Sequence, residues 1–414
     1  MTRFDEICCI CGSSEFQPFA ERADGIPVVL CRRCGHGVVS FLPGAVEALY
    51  GDDYFSSSKD ACIGYEDYAY TAEHGVSWAA ALAQLLLPSG RILDIGCANG
   101  HLLRKFGAGY DRFGIEPNQR AAEECRMHGI PVLAADLLDQ NLRRDHKEEF
   151  NLALSIAVFE HITDFRGAVE AAMALLRKDG LLLFEVPVIS GEDSSDPWLR
   201  TSLEHIHYPT EQSLHHLFDI VLGLRLAGSS VVIRRFAQTY VGLASKSEEV
   251  LETASRCFDR CIHTPPDRLR AEEARFRCLF GLLHGADTSP ELLALCEYLT
   301  PSDLNPLTVR RLLDLWKVDA MAARETSEHC EQVERYLKDV EAARDWHAKE
   351  STKRDGIIQE LADDRDRQVR TIERMCIEKA EVEASWIWRF SRSVRSLSLR
   401  GLMQLLRIGN KRSL

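Results

Sequence analysis

Apolar positions over residues 76–87 recur at helical spacing, and a Pro88-Ser89-Gly90 break follows. Short apolar runs near 91–96, 111–116, 130–135, 150–156 and 181–188 then alternate with helical patterns near 99–107, 118–129 and 163–177. That order predicts a parallel, doubly wound α/β sheet, because parallel neighbours need helical crossovers between them. Such a sheet binds ligands at the carboxyl ends of its strands, beside the first strand of the alternation.

The stretch "RILDIGCANG", Arg91 to Gly100, runs into that position. Gly96, Ala98 and Gly100 have almost no side chains, so a ligand can approach the backbone, and a helix beginning near Asn99 would aim its amides at the ligand. Glu116 closes the second strand, where a carboxylate can accept hydrogen bonds from both hydroxyls of a ribose. A nicotinamide dinucleotide would use the same crevice, but its fingerprint needs a third Gly or Ala where this chain has His101. Asp94, at the end of the first strand, would repel a pyrophosphate and attract an ammonium or sulfonium. S-adenosylmethionine (SAM) carries both cations.

These residues resemble those of class I SAM-dependent methyltransferases, over residues 91 to about 245. The resemblance implies that Asp94, Gly96, Cys97, Ala98 and Gly100 form the loop around the methionine part of SAM, that Glu116 holds the ribose, and that Asp136 in "AADLL" faces the adenine. It also implies that Ala157 and Val158, in "SIAVFEHI", line the cofactor. The expected fold is a mostly parallel seven-stranded Rossmann-like methyltransferase sheet, with "RLAGSSVVIRRF" and "TYVGLASKS" as the final pair of strands, the last antiparallel.

The first forty residues carry a different chemistry. Cys8-x2-Cys11 and Cys31-x2-Cys34 are the spacing at which two knuckle turns close a tetrahedral structural zinc site. Gly12 and Gly35 follow the second cysteine of each pair, where a knuckle requires positive φ. Cys9 and His36 stand close enough to substitute for one ligand; a redox CxxC or unrelated buried thiols are the plainer alternatives. No apolar run approaches the length of a membrane span and no export signal opens the chain, so a cytoplasmic location is expected and disulfides are not.

Charge separates the C-terminus from the rest. The chain is at −13 overall, yet from Ser385 on it holds seven basic residues and no acidic one. An acidic body argues against nucleic acid as a partner. Trp386, Ile387, Phe390, Val394 and Leu397 share one side of a tail helix, and Arg389, Arg392 and Arg395 the other, which suits an anionic membrane surface or a protein partner. Residues 321–384 are charged and proline-free, predicting a long helix or a weak coiled coil through which chains could pair. The expected organisation is a zinc-ribbon-like module at 1–45, the methyltransferase domain at 46–246, a helical cap at 247–320, the charged helix at 321–384 and the tail at 385–414.

Acceptor chemistry points to "LEHIHYPTEQSL" and "FEHI", which supply Glu204, His205 and His161. A histidine takes an acceptor proton near neutral pH, and a facing carboxylate raises its basicity. Thr210 reads as the N-cap of the following helix, leaving these histidines in a loop at the mouth of the site. The cysteine module, the "GYEDY" tyrosines Tyr65 and Tyr68, the SAM loop and the Glu204-His205 pair together resemble bacterial methyltransferases that modify sugars in secondary metabolites or surface polysaccharides. That resemblance implies a sugar or glycan substrate, and, for members acting on lipid-linked chains, the inner membrane. The C-methylating members carry a further α/β region that this chain replaces with charged helices, so sugar O-methylation is expected first and C-methylation second. Transfer to a small isoprenoid or lipid, and a non-catalytic scaffold in glycan assembly, remain the alternatives.

Overall fold

The computed structural model describes residues 2–42, 54–55, 68, 72, 75–192, 195–233, 237–284, 290–300, 303, 308 and 311–312. The charged helix and the basic tail expected from the sequence lie outside these residues, as does Tyr65. The described residues up to His284 form one compact unit; those from Pro290 on, including the short helix Pro290–Leu295, belong to a second.

Strands β1 (Thr2–Arg3), β2 (Phe16–Glu21), β3 (Pro27–Cys31), β4 (Gly37–Val39) and β5 (Phe41–Leu42) make the N-terminal region, followed by helix α1 (Ser77–Leu86). The central strands are β6 (Gly90–Ile95), β7 (Tyr110–Ile115), β8 (Val132–Ala134), β9 (Phe150–Ile156) and β10 (Leu176–Val188). After β11 (His207–Tyr208) come β12 (Leu226–Ile233) and β13 (Ala237–Ser245).

The large sheet has the order β12-β13-β10-β9-β6-β7-β8. Every pairing from β10 to β8 is parallel, and β13 runs antiparallel to both β10 and β12. This is the Rossmann-like methyltransferase order, and its reversal beside β6 opens the crevice where such sheets bind ligands. The central strands are apolar because both faces are covered: Ile92, Leu93, Leu152, Ala153, Leu154, Leu182 and Leu183 are fully buried. Helix α2 (Gln119–Met127) starts on an Asn118 cap whose side chain accepts from the Ala121 amide, and α3 (Phe165–Leu175) on an equivalent Asp164–Gly167 cap. Helices α4 (Glu248–His263) and α5 (Ala271–His284) pack with α1, where Trp78 meets Phe280 and His284 edge-on.

The helix expected near 99–107 is absent. Gly100 adopts φ +82, only Leu103–Lys105 forms a single 3-10 turn, and Phe106 is already extended. Leu102, Leu103 and Phe106 are buried as a helical pattern would require, but the span between the left-handed glycine and the extended Phe106 is too short for an α-turn to propagate.

The N-terminal strands do not form a separate layer. β1 and β5 pair with each other, while β2, β3 and β4 form a sheet of order β11-β4-β3-β2, completed by a strand from residues 207–208. Its core, with Val28, Leu30, Val38 and Val39, takes in Ile189, Leu199, Ile206 and Tyr208. A segment of this size buries too little apolar surface to stand alone, and here it shares its core with the methyltransferase unit.

Candidate active site

The loop after β6 hooks onto β7: the amides of Gly96 and Cys97 both donate to the Ile115 carbonyl, at 2.9 and 3.0 Å. Gly96 is left-handed at φ +74, and a Cβ there would run into the Val158 side chain, so the glycine lets the loops after β6 and β9 approach. Two alanines are left-handed as well, Ala98 at φ 46 in the first loop and Ala157 at φ 55 after β9. Non-glycine residues seldom adopt this conformation, and two of the three that do so among the described residues lie in these two loops, the third being Glu148.

Glu116 is buried, and each carboxylate oxygen accepts one backbone amide: Ala98 N to Oε2 and Asn118 N to Oε1, both at 2.8 Å. A carboxylate offers about four acceptor positions, so both oxygens retain capacity for a ribose hydroxyl. Burial pushes the Glu116 carboxyl up to about 7 against those amide bonds, which pull it down. Asp94 is buried too, and desolvation, with the Cys125 thiol and Glu116 nearby, drives its carboxyl well above the ordinary range. Each acid gains from a ligand that brings hydroxyl donors or positive charge. Asn99 Oδ1 is buried in the same loop with no hydrogen-bond partner among the described residues. These residues fit SAM.

The other expected cofactor contacts divide. Ala157 is exposed on the crevice wall, and Asp136 lies exposed just beyond β8 with Oδ1 accepting the Leu138 amide. The Cys97 side chain is buried beneath the loop, so close to β7 that a Cβ at Gly114 would collide with its sulfur. Tyr68 packs edge-on to His101 beside this loop, ring centres 6.0 Å apart.

At the carboxyl ends of β9 and β10 a second group of side chains converges. His205 Nε2 lies 3.8 Å and His161 Nε2 3.6 Å from Glu160 Oε1, and the two imidazoles meet edge to face with centres 4.7 Å apart. Neither oxygen of Glu160 has a hydrogen bond among the described residues, and its side chain is 0% exposed. Burial first, then the neighbouring Glu185 and Glu204, hold the Glu160 carboxyl far above its ordinary value. Glu185, on β10, is pushed up to about 7 by burial. His161 is drawn down to about 4 and His205 well below its ordinary value, again chiefly by burial. Burial thus favours the uncharged form of the histidines and of Glu160 alike.

Two expectations change here. The carboxylate in ion-pair range of His205 Nε2 is Glu160, two elements away, rather than the adjacent Glu204. The histidine stretch is also no exposed loop at the mouth: Glu204, His205 and His207 are buried, and β11 ties the segment to the cysteine module. Thr210 caps the next helix as expected, accepting from Ser213 N at 3.1 Å.

Residues from the N-terminal sheet hold this group in place. Arg22 Nη1 donates to the His205 carbonyl at 2.8 Å while the same guanidinium pairs with Asp24, and Val39 N donates to the Ile206 carbonyl at 3.0 Å. Ile206 N in turn donates to the Glu160 carbonyl at 3.0 Å. Arg22 and Glu185 were not apparent in the sequence, since neither belongs to a motif.

Cys8, Cys11, Cys31 and Cys34 bring their sulfurs within 4.8 Å of one another, with Cys8–Cys34 and Cys11–Cys31 both at 3.5 Å. That is too long for a disulfide and close to the ~3.8 Å edge of a tetrahedral zinc–thiolate site. Gly12 and Gly35 close the knuckles at φ +71 and +78, their amides donating to the Cys8 and Cys31 carbonyls. The four residues fit zinc.

A cleft of about 500 Å³ opens at the end of β10 and is lined by Gln17, Arg32, Glu192, Gln212 and Gln238, with none of the cofactor-loop residues on its walls. Among the described residues no helix is long and apolar enough to cross a membrane.

Residues 69–221 match the family model of a methyltransferase domain. The chain is 34% identical over 130 residues to the tRNA U34 carboxymethyltransferase of Pseudomonas fluorescens (strain SBW25), covering 28% of this chain and 38% of that protein. It is 30% identical over 96 residues to the ubiquinone biosynthesis O-methyltransferase of Rhodopseudomonas palustris (strain TIE-1), covering 22% of this chain and 38% of that one. This chain thus spans 38% of the length of either relative. A solved SAM-dependent methyltransferase from Thermotoga maritima is 19% identical, with a TM-score of 0.33 over 43% of this chain and 93% of the other. Strand order, the crevice residues and the family match together make this a chain with a class I SAM-dependent methyltransferase domain.

Proposed function

We propose that this protein transfers the SAM methyl group to a hydroxyl of a sugar, carried on a nucleotide or a lipid-linked glycan. The observation that carries the reading is the buried Glu160–His161–His205 group beside the cofactor crevice. SAM, when bound, supplies an electrophilic methyl on a sulfonium, so the protein's main tasks are alignment and removal of the acceptor proton. Asp94 and the Gly96–Gly100 loop cradle the methionine part, Glu116 accepts the ribose hydroxyls, and Asp136 and Ala157 bound the adenine end.

His205 is the general base. Its imidazole is neutral at pH 7, as a base must be before it acts. Burial makes the bare imidazolium unfavourable, and Glu160, whose Oε1 lies 3.8 Å from Nε2, is the acidic group whose carboxylate form would offset it. His161 positions Glu160, whose carboxyl has Glu185 and Glu204 as electrostatic neighbours. The tRNA-modifying relative is matched over less than half its length, and a net charge of −13 argues against a polynucleotide substrate.

Cys8, Cys11, Cys31 and Cys34 hold a structural zinc that secures the sheet on which Arg22 and β11 position His205. The reading is tested by incubating the full-length protein with SAM and a nucleotide-sugar and glycan pool, following S-adenosylhomocysteine release. Acceptor-dependent release that His205→Asn abolishes supports it. SAM binding without turnover on any sugar, but with turnover on an isoprenoid phenol, would replace the acceptor class.

A further inference from the structure

Cys9 and His36 do not join the four-cysteine cluster; the fold carries both to His207, and the three ligand atoms lie within 4.8 Å of one another. His36 Nε2 is 3.0 Å and Cys9 Sγ 4.0 Å from His207 Nδ1. Around a tetrahedral zinc the corresponding nitrogen–nitrogen and sulfur–nitrogen edges are about 3.3 and 3.5 Å. Both distances lie within about half an ångström of these edges, so the cluster needs little more adjustment than the four sulfurs do.

The protonation pattern agrees. His207 Nε2 lies 3.3 Å from the Thr163 carbonyl, which can only accept, so Nε2 carries the proton and Nδ1 presents its lone pair to Cys9 and His36. A metal-ligating histidine is ordinarily anchored in this way, through its other nitrogen to a backbone carbonyl. With the His207 Nδ1 lone pair facing it at 3.0 Å, His36 Nε2 carries the proton in the unloaded site; His36 Nδ1 has no hydrogen-bond partner among the described residues, so the proton can move there and free the Nε2 lone pair for a metal. Both imidazoles are buried and Cys9 is half-buried, while the Asp164 carboxylate is an electrostatic neighbour of Cys9 and His207 alike. One thiolate and two imidazoles would leave a zinc ion with one positive charge, which Asp164 offsets.

We propose that Cys9, His36 and His207 form a second zinc site, separate from the four-cysteine cluster. Borderline-soft sulfur and imidazole donors select zinc over calcium or magnesium. Cys9 lies between Cys8 and Cys11, and His36 two residues beyond Cys34, so the knuckles that close the first site also present two ligands of the second. The third comes from β11, two residues after His205. The second ion therefore fastens the methyltransferase unit to the cysteine module at the strand that carries the base.

The test measures zinc per chain on full-length protein after equilibration with zinc and removal of excess, and follows cobalt(II) titration by thiolate charge-transfer absorption. Two zinc ions are expected in the wild type, and one in each of Cys9→Ala and His36→Asn, with the cobalt spectrum of the four-sulfur site retained. One ion in the wild type, unchanged in Cys9→Ala, overturns the second site and leaves the first standing. Two ions retained in both variants overturn the ligand assignment. Loss of both ions in both variants also overturns it, because these residues would then serve the four-cysteine site alone.

Discussion

The cofactor half of the crevice and its acceptor half are built in opposite ways. Asp94, Gly96, Ala98, Gly100, Glu116 and Asp136 come from one continuous stretch that runs from β6 through β7 and α2 to just beyond β8, held by backbone hydrogen bonds to the ends of β7 and β8. Arg22, Glu160, Glu185 and His205 come from four distant segments, and the cysteine module contacts this group through Arg22 and through its pairing with β11. A site made of backbone turns tolerates change around it, whereas one made of converging side chains depends on every element that delivers them. Mutations should therefore separate the halves cleanly.

His205→Asn should have the largest effect, lowering kcat by about 10²–10⁴, the usual worth of a positioned base, while SAM affinity stays within twofold. Unchanged turnover would remove the acceptor half from the mechanism. Glu116→Ala should do the reverse. Two charge-assisted hydrogen bonds at about 1.5–3 kcal/mol each predict at least a ~10²-fold loss of SAM affinity by calorimetry. Full affinity in that variant would refute the cofactor assignment.

Arg22→Ala tests the dependence on docking. It removes one charge-assisted bond to the His205 carbonyl, worth about 1.5–3 kcal/mol when fully formed, and should lower kcat by roughly tenfold with SAM binding intact. Zinc chelation should move kcat in the same direction and leave SAM affinity nearly unchanged; equal loss of both would mean that the halves are not separable.

The smallest effect is a pH signature of the cofactor half. SAM requires ionised Glu116, whose carboxyl is raised to about 7, so affinity should plateau above pH 7 and fall up to about tenfold per unit below it. Stability of the cofactor-free protein moves the other way. The protonated Glu116 favours the folded state fully below the ordinary 4.5, and that contribution is lost as pH rises through about 7. Glu116→Gln should flatten both profiles.

The difference between the halves also explains what could be read in advance. The seven strands, the cofactor loop, the Glu116 carboxylate and the two cysteine knuckles each follow from residues close together in the chain, where period and spacing report directly on backbone geometry. The segment after Gly100 misled because its apolar pattern is helical while its length is not. Glu160 was visible beside His161, but its role as the carboxylate facing His205 was not, because the partner lies on another element. Arg22 and Glu185 gave no signal; a lone arginine after a strand and a lone glutamate within one are commonplace.

What this sequence determines by itself is the alternation that makes a methyltransferase sheet and the turns that admit a cofactor, since each depends on neighbours only a few residues apart. Tertiary structure alone decides which carboxylate meets His205, which sulfur joins which cluster, and that the cysteine module is completed by β11. Those contacts join residues more than a hundred positions apart in the cases of Arg22 with His205 and of Cys9 and His36 with His207. No local periodicity encodes such distances; they arise when buried surfaces of separate segments find a common core.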